Sequence, residues 1–91
     1  MEENLLDKCR KEIDEVDHEL ILLILKRLKK CKIVVDYKKE KNLPIYNEER
    51  EKAVIKKIIN YKNLISEFEV SDSFINELWI FIMNYSKELQ V

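Results

Sequence analysis

Four charged side chains of this 91-residue chain lack an opposite charge at the spacing where a helix surface normally provides one. Three or four positions from Arg27 and from Lys38 there are only apolar, neutral or like-charged residues, so neither cation is neutralised locally. Arg50 and Glu51, which are adjacent in sequence, also have no counter-ion at these spacings. Charged helix residues more often lie on a solvated, locally paired face, and these four depart from that pattern.

Two of these cations bracket a stretch of one helix face. Arg27 and Lys38 are eleven residues apart, or about three helical turns, and therefore project from the same side of a helix. Cys31 and Val34 lie between them on that side. The spacing predicts a pocket wall with a cation at each end.

A later stretch adds neutral polar groups to this candidate pocket. Ser86 and Gln90 are one turn apart and share a helix face, and Met83 lies about one turn before them as an apolar closing residue. Taken singly, Ser86 and Gln90 are ordinary surface residues near a terminus. Arg and Lys side chains with one carboxylate and neutral donors suit a small dianion such as a dicarboxylate, which guanidinium groups bind through paired hydrogen bonds.

The residue types that usually perform acid–base or nucleophilic chemistry are not arranged for it. There is no Ser-His-Asp or Cys-His pattern, the single His18 stands among charged residues, and a chain without glycine has no loop to cradle phosphate. Cys9 and Cys31 lie about 33 Å apart on one predicted helix, too far for a disulfide within the chain. We predict no metal ion, and chemistry by positioning and by stabilisation of developing charge.

A long N-terminal helix must position the first of these residues. Apolar residues alternate at three and four positions, which predicts a helix from Leu5 to about Lys41 that packs lengthwise against other helices. The N-terminal seam consists of Leu6, Cys9, Ile13, Val16, Leu20 and Leu23. Such a helix is roughly 55 Å long, whereas a compact domain of about 100 residues has a radius of gyration near 13 Å. A second chain is therefore expected to cover the overhang.

Two shorter helices complete the predicted all-α domain, which spans residues 1–91. With no glycine and one proline, Pro44 marks the first link, and Asn47 is the expected N-cap of a helix that begins near Glu48 and frays around residues 60–63. Ser71 is the expected cap of a third helix that runs from about Asp72 to Gln90. The centre of that helix, residues 78–83, is apolar on every side, which indicates enclosure by helices of two chains.

The composition of the chain limits the classes of binding partner and the cellular locations that we expect. The formal net charge of −1 provides no basic excess for a phosphate backbone, so a nucleic-acid partner is not expected. The N-terminal residues are too charged for a signal peptide, and the longest aliphatic run, residues 20–25, is too short to span a bilayer. We therefore predict a cytoplasmic protein with no membrane partner.

The order and spacing of the candidate residues resemble those of the all-helical chorismate mutases, over almost the whole chain. The ordered set is Arg10-x-x-Ile13-x-x-Val16-Asp17, then Arg27, Lys38, Pro44-Ile45-Tyr46-Asn47-Glu48-Glu49-Arg50-Glu51, Ser86 and Gln90. The resemblance implies a cofactor-free isomerase that rearranges chorismate to prephenate, the committed step towards phenylalanine and tyrosine on the shikimate pathway. It also implies an intertwined homodimer of six helices with two equivalent active sites.

The resemblance assigns a role to each matching residue. Arg10 and Arg27 would clamp the two substrate carboxylates, while Lys38 and Gln90 would hydrogen-bond the ether oxygen as its bond to the ring breaks. The remaining matched residues are Glu51 and the backbone near Asn47, which would hold the ring hydroxyl, Ser86, which would assist a carboxylate, and Arg50, which would add positive field. Pocket-lining positions would be Cys31, Val34, Val54 and Met83.

Arg10 is the residue for which local and functional interpretations differ. Taken alone, Arg10 has Asp7 and Asp14 at the spacing of local ion pairs. If the resemblance holds, however, Arg10 and Arg27 are separated by about 25 Å along a straight helix and cannot grip one small molecule from the same chain. Arg10 is then expected to reach the active site of the partner chain.

Two alternatives remain open at this point. An enzyme of the same fold that eliminates pyruvate from isochorismate would also use cationic clamps and no cofactor. A helical dimer without catalytic activity, serving as an interaction or regulatory module, would explain the N-terminal seam and the mixed surface charges. In that case Arg27 and Lys38 would meet acidic partners across the dimer interface.

Overall fold

The chain folds into three helices joined by two short links. A computed structural model describes residues 4–89, and its regular structure is helical throughout that range: α1 (Leu5–Glu40), α2 (Glu48–Ile65) and α3 (Asp72–Glu88). This confirms the prediction of an all-α chain with one long and two shorter helices. The described chain measures 62 × 25 × 17 Å, so α1 sets its length.

Both ends of α1 are closed by local hydrogen bonds. At its start, the side chain of Asn4 accepts a hydrogen bond of 2.8 Å from the backbone N–H of Asp7. At its end, the N–H groups of Leu43 and Asn42 donate to the carbonyl oxygens of Lys38 and Lys39, the pattern of a Schellman motif. Asn42 has a φ of 56° and takes the left-handed position that glycine usually occupies.

Within residues 4–89, neither α1 nor a shorter helix has the length and apolar character needed to cross a bilayer.

The start of α2 was predicted correctly, but its end was not. Asn47 caps the helix through a 3.0 Å hydrogen bond from the backbone N–H of Arg50 to its side-chain oxygen. The helix does not fray at residues 60–63 and continues to Ile65. No proline or glycine interrupts it there, and Lys62 is anchored to the start of the next helix, which holds the last turn in place.

The link between α2 and α3 is fastened by polar contacts. Ser71 caps α3, as predicted, by accepting a 3.1 Å hydrogen bond from the backbone N–H of Phe74. The Lys62 ammonium donates to the carbonyl oxygen of Val70 at 2.6 Å and pairs with the Asp72 carboxylate at 2.5 Å. The hydrogen bond from Lys62 lowers the pKa of Asp72 below its ordinary value of 3.8. These contacts hold α2 and α3 as an antiparallel pair, and α3 also packs against α1.

One chain by itself encloses very little apolar surface. Among residues 4–89 the buried apolar side chains are Val35, Ile75 and Met83. Along the N-terminal seam the side chains face outward, with Val16 58% exposed and Leu20 51% exposed. The radius of gyration is 17.2 Å, whereas a compact chain of this length would have a value of about 12 Å. The single chain therefore leaves uncovered the faces that usually form a core.

Candidate active site

A cavity of about 320 Å³ lies where the three helices and the first link meet. It is formed by the C-terminal half of α1, the residues just before and at the start of α2, and the C-terminal half of α3. Ten of the twelve residues predicted from sequence line it: Arg27, Cys31, Val34, Lys38, Asn47, Arg50, Glu51, Val54, Met83 and Ser86. The volume is at the lower end of the range for small-molecule sites.

Of the other two predicted residues, Arg10 does not line this cavity. Arg10 lies seventeen positions before Arg27 on α1, or about 25 Å by helical rise, and its side chain is exposed. Asp7 and Asp14 stand at the spacing of local ion pairs, but no carboxylate of residues 4–89 is within ion-pair distance of Arg10. The second residue, Gln90, lies outside the described residues.

The charge of the cavity wall is strongly positive, although the chain as a whole has a net charge of −1. Five cationic side chains line it against one carboxylate, that of Glu51. The cations are Arg27, Lys30, Lys38, Arg50 and Lys87. Clustered cations in a concave, partly apolar site attract and hold small anions. The cavity is therefore suited to a ligand with more than one negative charge.

Arg27 lines this cavity and makes one weak side-chain contact there. Its Nη1 donates a weak hydrogen bond to the sulfur of Cys31, 3.7 Å away and one turn further along α1. No carboxylate in the described part of the chain pairs with the Arg27 guanidinium. Most of its N–H donors therefore stay available. A guanidinium group can use two of them to bind a carboxylate through paired hydrogen bonds.

Lys38 is held at both its backbone and its side chain. Its carbonyl oxygen accepts a hydrogen bond of 2.8 Å from Leu43 N–H in the closing turn of α1. Its Nζ donates to the carbonyl oxygen of Ile45 at 3.2 Å. An ammonium group has three donors, so two remain for a bound molecule. The first link thus fixes the direction in which the Lys38 charge points.

Glu51 has a cationic partner that the sequence did not indicate. Its Oε1 lies 2.9 Å from Nζ of Lys87, on α3, and the same ammonium stands 4.2 Å from the ring centroid of Tyr46. A search at three and four positions along one helix cannot find an ion pair between two helices. Its position on the helix could have identified Lys87 as a cavity residue, because Lys87 lies one turn after Met83 and beside Ser86.

Two polar residues of the cavity wall already use part of their hydrogen-bonding capacity. The side-chain oxygen of Asn47 is engaged in capping α2, and its carbonyl oxygen accepts a 3.1 Å hydrogen bond from the backbone N–H of Glu51. Ser86 is buried, and its hydroxyl donates to the carbonyl oxygen of Ile82 at 2.9 Å. To donate to a ligand, the Ser86 hydroxyl would have to turn away from the helix backbone.

The rest of the wall is apolar, and the described residues offer no metal-ligand cluster. Cys31, Val34, Val35, Val54 and Met83 supply sulfur and hydrocarbon surface around the charged groups. No three His, Cys, Asp or Glu side chains within residues 4–89 are gathered closely enough to hold a metal ion. An apolar wall with a few directed charged groups is typical of a site that binds and orients a small organic molecule.

Comparisons with known proteins agree with this architecture. A family model described as chorismate mutase type II matches residues 9–91. The chorismate mutase of Methanocaldococcus jannaschii is 31% identical over 85 residues, which cover 93% of this chain and 83% of that protein. The bifunctional chorismate mutase/prephenate dehydratase of Aquifex aeolicus is 42% identical over 54 residues, which cover 59% of this chain and 15% of that protein. No solved structure gives a significant match.

These findings confirm the family that the ordered residues of the sequence resemble. The family model extends from the first turns of α1 to the end of the chain and so includes every helix that lines the cavity. With three helices, a cationic cavity at their junction and a family match over most of its length, the chain belongs to the chorismate mutase type II family.

Proposed function

We propose that this chain catalyses the rearrangement of chorismate to prephenate, as an isomerase of aromatic amino acid biosynthesis. Membership of the chorismate mutase type II family and the chorismate mutase activity named for both relatives support this proposal. The observation that carries the proposal is the cavity with five cations and one carboxylate. Chorismate carries two carboxylates and one ring hydroxyl, which such a wall complements in charge.

The reaction requires the substrate to be held in one conformation, and it does not require an acid, a base or a nucleophile from the protein. One ether bond breaks while one carbon–carbon bond forms within the same molecule, so no atom is gained or lost and no proton has to move. The enzyme's contribution is to hold the compact chair-like conformer and to stabilise the negative charge that develops on the ether oxygen. Both tasks suit fixed cations in a partly apolar cavity.

Each cavity residue that was predicted from sequence has a proposed role. Arg27 binds one carboxylate of the substrate, and Lys38 donates to the ether oxygen with a donor that Ile45 does not use. Glu51 and the Asn47 backbone hold the ring hydroxyl. The supporting residues are Arg50, which adds positive field, Ser86, which assists a carboxylate, and Cys31, Val34, Val54 and Met83, which shape the apolar wall. Gln90 is proposed as the second donor to the ether oxygen, on the resemblance alone.

We also propose that the active form is a homodimer. The outward-facing N-terminal seam and the sparse core of one chain support a partner that covers both. On α3, Phe81 is 76% exposed in the single chain, although the residues around it are apolar on every side. Arg10, exposed and without an ion pair among residues 4–89, would then contribute its guanidinium to the cavity of the partner chain. We place the protein in the cytoplasm, in agreement with the sequence-based expectation.

The test is the loss of chorismate absorbance on addition of the purified chain, with prephenate identified as the product. Isochorismate in a parallel assay separates the mutase from a pyruvate-releasing lyase, an alternative that the family match does not favour. Sedimentation under the same conditions gives the mass of the active species. If chorismate disappears no faster than it does without protein, the proposed function is wrong.

A further inference from the structure

The ion pair between Glu51 and Lys87 belongs to the wall of the cavity. The Glu51 side chain is 23% exposed and the Lys87 side chain 34% exposed, so both are mostly shielded from water. Glu51 belongs to the first turn of α2 and Lys87 to the last turn of α3. Both residues line the cavity, and the pair joins the two helices there.

The two oxygens of the Glu51 carboxylate differ in their partners. Oε1 is paired with the Lys87 ammonium at 2.9 Å, whereas Oε2 is buried and has no hydrogen-bond partner within residues 4–89. A buried carboxylate oxygen without a donor is unfavourable, because it has lost water and gained nothing in return. It is an acceptor that a hydroxyl group of a bound molecule would satisfy. Rotation about the terminal bond of a glutamate is soft, so one oxygen can face the cavity while the other meets Lys87.

Lys87 has a second contact besides Glu51, with an aromatic ring of the first link. Its ammonium lies 4.2 Å from the centroid of the Tyr46 ring, within the range of a cation–π contact. Tyr46 belongs to the first link, directly before the Asn47 cap of α2. One ammonium group therefore touches α2 and the first link from its position on α3, and its direction is well defined.

We infer that Lys87 is a positioning residue that determines which substrate group Glu51 recognises. By occupying Oε1, Lys87 leaves a single oxygen of Glu51 to accept a hydrogen bond from the ring hydroxyl of the substrate. The inference rests on the proposed function and adds to it a residue that selects for a hydroxyl-bearing ring. Without Lys87 the carboxylate would turn freely or take up water, and its preference for the hydroxyl would fall.

The experiment compares two substrates with and without Lys87. Wild-type protein and Lys87→Met are assayed with chorismate and with an analogue that has hydrogen in place of the ring hydroxyl. Loss of a cation weakens the binding of both dianions alike, so the ratio of the two kcat/KM values isolates the hydroxyl. We expect Lys87→Met to lower this ratio about tenfold, because the hydroxyl then loses an acceptor whose direction Lys87 fixes.

Two further variants sharpen the comparison. Lys87→Arg keeps a cation beside Glu51 and is expected to retain most of the preference for the hydroxyl. Lys62→Met removes the other ammonium that ties α2 to α3, at a distance from the cavity, and is expected to leave the ratio unchanged. The ratio does not depend on how much of a variant is folded, since both substrates meet the same molecules.

The outcomes separate this inference from the proposed function. If wild-type protein does not convert chorismate, the proposed function fails first. If wild-type protein is active and Lys87→Met lowers both kcat/KM values by the same factor, Lys87 acts only through charge or stability and the inference is overturned. A ratio that falls equally in Lys62→Met would also overturn it, because the effect would then follow from loosening of the helix pair.

Discussion

Nζ of Lys38 donates a hydrogen bond to the carbonyl oxygen of Ile45 over 3.2 Å, which ties the last turns of α1 to the link that leads into α2. The contact uses one of the three N–H donors of the ammonium group and orients the other two. No carboxylate of residues 4–89 is within ion-pair distance of Lys38. A cation that is fixed but not neutralised keeps its full charge for a bound molecule.

Replacement of Lys38 is expected to affect turnover more than binding. In Lys38→Ala the donor at the ether oxygen is lost, and kcat should fall by about a hundredfold or more, as for other preorganised donors to developing oxyanions. Lys32→Ala, an exposed lysine on the same helix that does not line the cavity, is the matched control. Steady-state kinetics on chorismate measures both. Near-normal kcat in Lys38→Ala would remove Lys38 from the proposed mechanism.

Mixing two inactive variants tests whether Arg10 acts across the proposed dimer. Arg10→Ala and Arg27→Ala are each expected to lose most activity, because a substrate carboxylate loses its clamp. In a mixed dimer, one site receives the intact Arg27 of one chain and the intact Arg10 of the other. Refolding the two variants together in equal amounts should therefore restore about a quarter of wild-type activity, if chains associate at random.

The control for this experiment is each variant refolded alone at the same total concentration. If Arg10 acted within its own chain, neither site of the mixed dimer would be complete, and the mixture would be as inactive as its parts. Recovery in the mixture but in neither control thus distinguishes the two arrangements without any structural measurement.

The cap of α2 should contribute measurably to stability. In Asn47→Ala the backbone N–H of Arg50 loses its 3.0 Å hydrogen bond, and the free energy of unfolding should fall by about 1 kcal/mol. Asn47→Asp retains a side-chain acceptor and should remain close to wild type. Urea denaturation at one fixed protein concentration measures both, since association would shift the midpoint otherwise. Equal midpoints for Asn47→Ala and wild type would contradict this account of the cap.

Acid should weaken the junction of α2 and α3 through Asp72. Its pKa is lowered in the folded chain, chiefly by the hydrogen bond from Lys62, so its contribution is present above the ordinary value of 3.8 and is lost as the pH falls through the lowered value. Between about pH 6 and about pH 3, wild type should lose more stability than Asp72→Asn, which has no carboxylate to protonate. Urea midpoints at the two pH values test this. The difference is expected to be small, because Asp72 is mostly exposed.

Structural features that depend on residues close together in the sequence were predicted correctly. Asn47 and Ser71 were identified as caps because a capping side chain acts on N–H groups only two or three residues away. The family resemblance and the helical spacing together placed ten residues around one cavity, since α1 presents Arg27 and Lys38 on the same side. Fold class and family are both confirmed.

Features that depend on contacts between helices were not predicted. The end of α2 was placed too early because Lys62 holds it from the far side of the second link, and nothing near residues 60–63 reveals that anchor. Lys87 was missed for the same reason, as its partner Glu51 lies on another helix. The ion-pair spacing of Asp7 and Asp14 from Arg10 does not lead to a contact among residues 4–89, because an ion pair on an exposed surface contributes too little free energy to hold the side chains together.

The outward-facing N-terminal seam has a kinetic consequence for the proposed dimer. A chain that buries so few apolar side chains alone reaches its final state only after meeting a second copy, so the last step of refolding should be bimolecular and accelerate with concentration. Newly made chains would remain open to proteases until that encounter. The abundance of the protein would then depend more than linearly on its rate of synthesis.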